Sequence, residues 1–355
     1  MIDTQRRSAA ALPSDNDTAG PRTPGRRLAL VLAVAAAASL GLAVLQLTRG
    51  EPVLGVGDAI DVLRRDDSST AAFLVRELRL PRVLAALLAG ALLGASGVLL
   101  QDSLRNPLAD PSLLGVGQGA SFAMALFTFY PEIAPPLPRT AVSLVAGAAT
   151  GVVVLLIAGR IRDSIRVILV GAVMTGFLGS ITSLMILLVP PDRVDSFASY
   201  QRFVIGSVST ATWSTVAQLA IWFAVGLPFA IVAGRVLDLL KLGDDAAASA
   251  GLEPARARIA LMALAMVLVA PAYALVGPIG FVALLAPHMA RGALRTTGAR
   301  PVIGAAAVLG AVQVLGADVL GRLLLFPREL PAGLWTVLIA GPFAVVFVGR
   351  LRAAR

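Results

Sequence analysis

The sequence predicts an all-α integral membrane protein with about ten transmembrane helices. Three observations carry this reading. Of 355 residues, 57% are hydrophobic and 14% charged, whereas a soluble domain has about 45–50% apolar and about 25% charged residues. The mean hydropathy is +0.84. The apolar residues also fall into long runs, each near the roughly 20 residues a helix needs to cross the hydrocarbon core.

Residues 1–27 are rich in Pro, Ser, Asp, Thr and Arg and lack apolar periodicity. They read as a disordered cytoplasmic tail. The run Leu28–Leu47 follows Arg26 and Arg27. It is longer than the roughly 7–15 residues of a signal-peptide core and reads as the first span. Breaks at charged or Pro/Gly-rich positions then give ten spans: 28–48, 81–100, 112–130, 138–159, 166–189, 213–234, 258–276, 278–294, 301–320 and 331–349. The eighth is short enough to be a broken or partial helix.

An even number of spans puts both termini on one side. With the N-terminus inside, the inner segments carry 19 of the 30 basic residues, in line with the cytoplasmic excess of Lys and Arg in membrane proteins. That bias also accounts for the net charge of +9 without nucleic acid. One outer loop goes against it, with Arg49, Arg64, Arg65, Arg76, Arg79 and Arg82. These arginines either snorkel to lipid headgroups or form a docking patch for an acidic partner.

The spans are dense in small residues, with Gly90, Gly94 and Gly97 in the second and Gly171, Gly176 and Gly179 in the fifth. Small residues let helices approach closely where lipid supplies no hydrophobic drive. In Arg105-Asn106-Pro107-Leu108-Ala109-Asp110-Pro111 the two prolines exclude a regular helix. This is a tight inner turn whose polar side chains satisfy free backbone groups. Residues 235–258 form the longest inner connection. Within it Gly243–Gly251 reads as a short helix, with Asp244 or Asp245 at its positive end and Gly251 at its C-terminal cap, and Pro254 opens the next helix. It is either a connector or the surface on which a separate engine protein pushes.

Several chemistries are excluded. There is no cysteine, so there are no disulfides, thiolate metal sites or Cys nucleophile. The single histidine, His288, rules out a histidine metal cage and reads as a packed or capping residue. Lys241, the only lysine, is followed by Leu242, so the chain holds no P-loop. If ATP drives this protein, another chain hydrolyses it. Asp102, Asp110 and Asp318 sit near span ends rather than mid-membrane, which argues against an ion-coupled carrier. Asp318 reads either as a helix-end partner of Arg322 at i+4 or as part of a path.

Four stretches resemble the FecCD-type permeases of ABC importers, which include the cobalamin permease BtuC. They are Leu78-Arg79-Leu80-Pro81-Arg82 running into Gly90–Gln101; Asn106–Pro111 with Leu114-Gly115-Val116; Leu242–Ala247 with Ala250-Gly251; and Gly277–Val282 with Ala286–Arg291. A weaker fifth joins Gly316-Ala317-Asp318 to Glu329-Leu330-Pro331 and Gly333. The resemblance covers about 50 to 350.

The resemblance implies a BtuC-like, type II importer bundle over a permease domain at 28–350. It implies a second permease subunit, identical or paralogous, together with two ATPases, an external substrate-binding protein and the lipid of a cell membrane. Arg79, Arg82 and Arg322 match arginines that meet the binding protein. Leu242, Gly243, Asp244, Asp245, Ala246, Ala247, Ala250 and Gly251 match the ATPase-coupling helix. Asp163, Ser164 and Ile165 match the cytoplasmic gate, with Asp163 departing from the small hydroxyl residue expected there. The fifth span then lines the path, with Thr175, Ser180, Thr182 and Ser183 as lining candidates. No catalytic residue, resident metal or cofactor is implied. The implied cargo is a chelated metal, a ferric siderophore first, with haem and cobalamin next. The rival classes are an ion-coupled secondary carrier and a non-transporting membrane scaffold.

Overall fold

The structure is a computed structural model that describes residues 24–64, 69–134, 137–158, 164–326, 328–339 and 341–342. In chain order its helices are α1 (Pro24–Thr48), α2 (Val56–Arg64), α3 (Thr70–Phe73), α4 (Leu80–Ser103), α5 (Val116–Phe129), α6 (Arg139–Ala158), α7 (Ser164–Leu187), α8 (Phe197–Ile205), α9 (Trp213–Lys241), α10 (Asp244–Ser249), α11 (Pro254–Val276), α12 (Val282–Leu294) and α13 (Ala299–Leu323). A π-helical segment, Leu74–Arg79, joins α3 to α4. Residues 332–339 are again helical. Helix α1 already includes Pro24 to Arg27, and the rest of the expected tail, 1–23, lies outside the described residues.

Among the described residues seven segments are long and apolar enough to cross a membrane: α1, Thr70–Ser103, α6, α7, α9, α11 and α13. Of the other three expected spans, 331–349 lies partly outside the described residues, and two are reached differently. Helix α5 has 14 residues and α12 has 13, about 20 Å each at 1.5 Å per residue. Neither covers a core of about 30 Å alone. The span expected at 112–130 is instead a 3-10 turn, Pro111–Leu114, followed by α5. The span expected at 278–294 has an irregular entry, Gly277 to Phe281, followed by α12. Pro111 opens the 3-10 turn and Pro278 lies in the irregular entry, positions where the missing backbone N–H costs no helical hydrogen bond. Such backbone is tolerated at membrane depth where protein surrounds it.

Helix α4 is the hub. It is buried along most of its length, and its partners include α13, α11, α9 and α12. Its glycines explain how. A Cβ on Gly90 would lie 2.3 Å from the Gly310 carbonyl oxygen, one on Gly94 2.0 Å from that of Ala306, and one on Gly97 1.9 Å from that of Ala283. These are backbone-to-backbone approaches of the kind small residues permit.

The tight turn expected after α4 forms as its sequence requires. Leu108 N donates to Asn106 Oδ1 at 2.9 Å and Ser112 N to Asp110 Oδ1 at 2.8 Å. Gly115 takes φ +75° to enter α5. The inner connection expected at 235–258 is shorter. Helix α9 continues to Lys241 and α11 starts at Pro254, so only 242–253 link them. Polar Asp238 does not stop α9 because its carboxylate is used elsewhere: it accepts from Ala299 N, at the start of α13, at 2.8 Å.

Candidate functional site

Three surfaces collect the polar and functional residues. At the N-terminal end of α4, Arg82 grips Asp318 with two nitrogens, Nε to Oδ2 at 2.7 Å and Nη2 to Oδ1 at 2.9 Å. Its third nitrogen donates to Glu329 Oε2 at 2.8 Å. Gln46 Nε2 of α1 donates to Asp318 Oδ2 at 2.7 Å. Arg322 lies 3.5 Å from Glu329 Oε1 and donates to the Gln46 carbonyl at 3.1 Å. Arg79 donates to the carbonyls of Leu47 at 2.7 Å and Pro52 at 2.9 Å. Arg79, Arg82 and Arg322 are all buried. They are therefore not the open cationic patch that the sequence suggests. An unpaired cation out of water is costly, so the chain supplies its own carboxylates and carbonyls. Asp318 pairs with Arg82 across 236 positions rather than with Arg322 at i+4. Spacing along one helix does not reveal a partner of that kind.

The second surface is α7. Its side presenting Ile165, Leu169, Val173, Gly176, Phe177, Ser180, Ser183 and Leu187 is exposed in the single chain. Ser180 and Ser183 lie on this exposed side. Thr182 does not: it is buried and its Oγ1 donates to its own helix at Leu178 O, 2.8 Å away. Thr175 is half-buried, turned towards Gly115. One helix cannot put four hydroxyls at 175, 180, 182 and 183 on one face, because 100° per residue separates 180 from 182 by most of a half-turn. Ser164 opens α7 and Ile165 is exposed, whereas Asp163 lies outside the described residues.

The third surface lies around α10, at the C-terminal end of α4. Gly243 at φ +111° and Gly251 at φ +82° bracket α10. Ala247 anchors it, fully buried, while Leu242, Asp245, Ala246 and Ala250 are exposed and Gly243 is partly so. Asp244 does not cap its own helix. It accepts from Arg258 of α11 at 2.5 and 3.1 Å and from Arg105 of the turn after α4 at 2.8 Å. Hydrogen bonds from Arg258, then the charges of Arg258 and Arg105, hold the Asp244 carboxyl below the usual carboxylate range against the opposing effect of its partial burial. Beside it, Asp102 Oδ1 accepts from Arg291 at 2.8 Å and its Oδ2 lies 2.9 Å from Lys241 Nζ. Gln101 Oε1 accepts from Arg291 at 2.7 Å. His288 Nδ1 donates to Leu284 O at 2.7 Å, the contact of a packed histidine. Among the described residues no cluster of His, Asp and Glu is arranged to hold a metal ion.

Residues 32–350 match the FecCD transport family. The chain belongs to that family. It is 35% identical over 306 residues to the Fe(3+) dicitrate transport system permease protein FecC of Escherichia coli (strain K12), covering 84% of this chain and 90% of that one. It is 33% identical over 329 residues to the ferric enterobactin transport system permease protein FepG of the same strain, covering 91% and 96%. Its fold matches a solved structure described as a metal-chelate type ABC transporter in an inward-facing conformation, with TM-score 0.78, 26% identity, and 91% and 99% of the two chains covered. This FecCD-family chain is thus the multi-pass permease subunit of an ABC importer and not itself an enzyme. ATP hydrolysis belongs to a separate partner chain. Permease subunits of this kind work with ATPase subunits and a second permease subunit.

Proposed function

We propose that this permease moves a ferric siderophore inward across a cell membrane, fed by an external substrate-binding protein. The observation that carries the reading is the exposed face of α7. Gly176, Ser180 and Ser183 lie on it among apolar side chains. Such a surface passes a bulky wrapped metal without strong ligation. Among the described residues no cluster of His, Asp and Glu is placed to take iron from its chelator. The relatives' ferric dicitrate and ferric enterobactin names point to the same cargo class.

The exposed side of α10 fits a cleft in the ATPase, and its movement switches which face of the bundle is open. ATP drives that switch only through its differential affinity for the two states. On the outer side, Arg82 and Arg322 both lean on Glu329, whose side chain is 41% exposed. An acidic residue of the binding protein reaches these arginines by displacing Glu329. Arg79, held by loop carbonyls, shapes the rim. Both termini lie inside.

The test is uptake into vesicles that carry this permease with its ATPase and binding protein. ATP-dependent accumulation of radio-iron enterobactin, absent without the ATPase, is the expected result. Accumulation of haem or cobalamin with no ferric siderophore overturns the cargo. The inner position of α10 is tested by a single introduced cysteine, Ala246→Cys, in a chain that has no other. It should cross-link to the ATPase and resist an impermeant thiol reagent applied from outside.

A further inference from the structure

A cavity of about 550 Å³ opens at the end of the bundle where α5 and α11 finish and α6 and α9 begin. It exists because α11 stops at Val276, where Gly277 turns at φ +78°, while α6 and α9 rise on either side. Thr128, Thr140, Ser207, Thr210, Ser214 and Gln218 line it with hydroxyl and amide groups. Arg139 and Arg202 line it too, and among the described residues no carboxylate does.

These arginines differ from three others at this end that are ion-paired. Arg193 is held by Glu132, and Arg82 and Arg322 share Glu329. Arg139 has no ion pair among the described residues, and Arg202 has only the Ser199 hydroxyl at 3.4 Å. Both are exposed. The 20-residue α6 and the 29-residue α9 direct their N-termini here, adding positive potential. The cavity therefore selects an oxyanion, which guanidinium forks and hydroxyl donors match.

The surroundings say what carries that oxyanion. Ser214 and Gln218 begin a line along α9 that continues at Ile221, Val225, Phe229 and Val232, each more than half exposed. Spacings of three and four keep these residues on one side of the helix. An apolar track thus descends from the polar cavity into the depth of the membrane. Trp213, whose indole donates to Arg76 O at 3.1 Å, sits at the top of α9, where tryptophans mark the membrane–water boundary. None of the lining residues belongs to α7, so the site is separate from the face assigned to the cargo.

We propose that this cavity binds the phosphate headgroup of an anionic phospholipid of the adjacent leaflet, with an acyl chain lying along α9. The inference requires that the bundle crosses a bilayer. It does not depend on which chelate is carried.

The test uses the full chain in vesicles of phosphatidylcholine with a minor fraction of phosphatidylglycerol. The protein is extracted and the lipid that travels with it is quantified by mass spectrometry. Phosphatidylglycerol should be enriched over the bulk. Arg139→Gln with Arg202→Gln should weaken its retention roughly thirty-fold, about fivefold for each guanidinium. Arg139→Lys with Arg202→Lys should keep most of it. Ile221→Ser with Phe229→Ser, which leaves the arginines in place, should lower retention severalfold and serves if the glutamine pair fails to fold. Undiminished phosphatidylglycerol in either the glutamine or the serine variant overturns the proposal. So does its displacement by an equal concentration of inorganic phosphate, which would assign the cavity to a free anion.

Discussion

Helices α4 and α7 have the same length and much the same composition, yet they hold opposite places. In their most apolar stretches, 83% of the residues in the segment containing α4 are buried but 17% of those in α7. Three glycines of α4 meet carbonyls of α13 and α12. In α7 Gly171 meets Leu113 O, whereas Gly176 has nothing within 4 Å. The ends differ as well. Arg82 and Asp102 tie α4 to other helices at both ends, while Ser180 and Thr182 turn back to carbonyls of α7 itself. One helix is a fixed axle and the other a free face. What separates them is the neighbour, not the residue type.

The sharpest way to break this contrast is to unfasten the axle. Asp318→Ala leaves Arg82 buried with only Glu329, and should cost about 3–5 kcal/mol. Thermal unfolding in detergent should show the loss, and Arg82→Ala combined with it should cost less than the sum. Next, Gly94→Ala puts a methyl against the Ala306 carbonyl oxygen and should cost about 1–3 kcal/mol. The same assay checks it, with a broadened elution profile as second readout.

A smaller effect is expected beside α10. The Asp244 carboxyl is depressed by Arg258 and Arg105, so its contribution is complete above the ordinary carboxylate range and fades as the pH falls towards the folded-state value. Its side chain is 43% exposed, and solvent screening limits the contribution to about 1 kcal/mol. Asp244→Asn should therefore lower the midpoint of unfolding near neutral pH, and the gap from the parent should close on acidification. The smallest effect belongs to α7. Gly176→Ala faces open space and should change stability by no more than about 0.5 kcal/mol. A loss as large as that of Gly94→Ala would abolish the distinction between the helices.

Much of the architecture is readable from the residues. Runs such as Arg139–Ala158 are long, apolar and bounded by charge or proline, so length against bilayer thickness locates them. Gly243, Gly251 and Pro254 mark α10 and the start of α11 through backbone rules that act locally. The broken entry to α12 shows in the shortness of the eighth run, whereas the 3-10 turn at Pro111–Leu114 escapes this reading because hydropathy does not register a turn packed against protein. The fate of Arg79, Arg82 and Arg322 escapes it too. Their charge is visible in the sequence, but Asp318, Glu329 and Gln46 reach them only through tertiary packing. Thr182 differs from Ser180 for a simpler reason: it is buried, and the polarity of a hydroxyl does not tell which side of its helix it occupies.

Asp244 has a mechanical consequence. One carboxylate holds both the turn behind α4 and the second helical turn of α11, so a six-residue rod works as a yoke. A tug on that rod arrives at two places in a single stroke, and neither can lag behind the other while both arginines keep their grip.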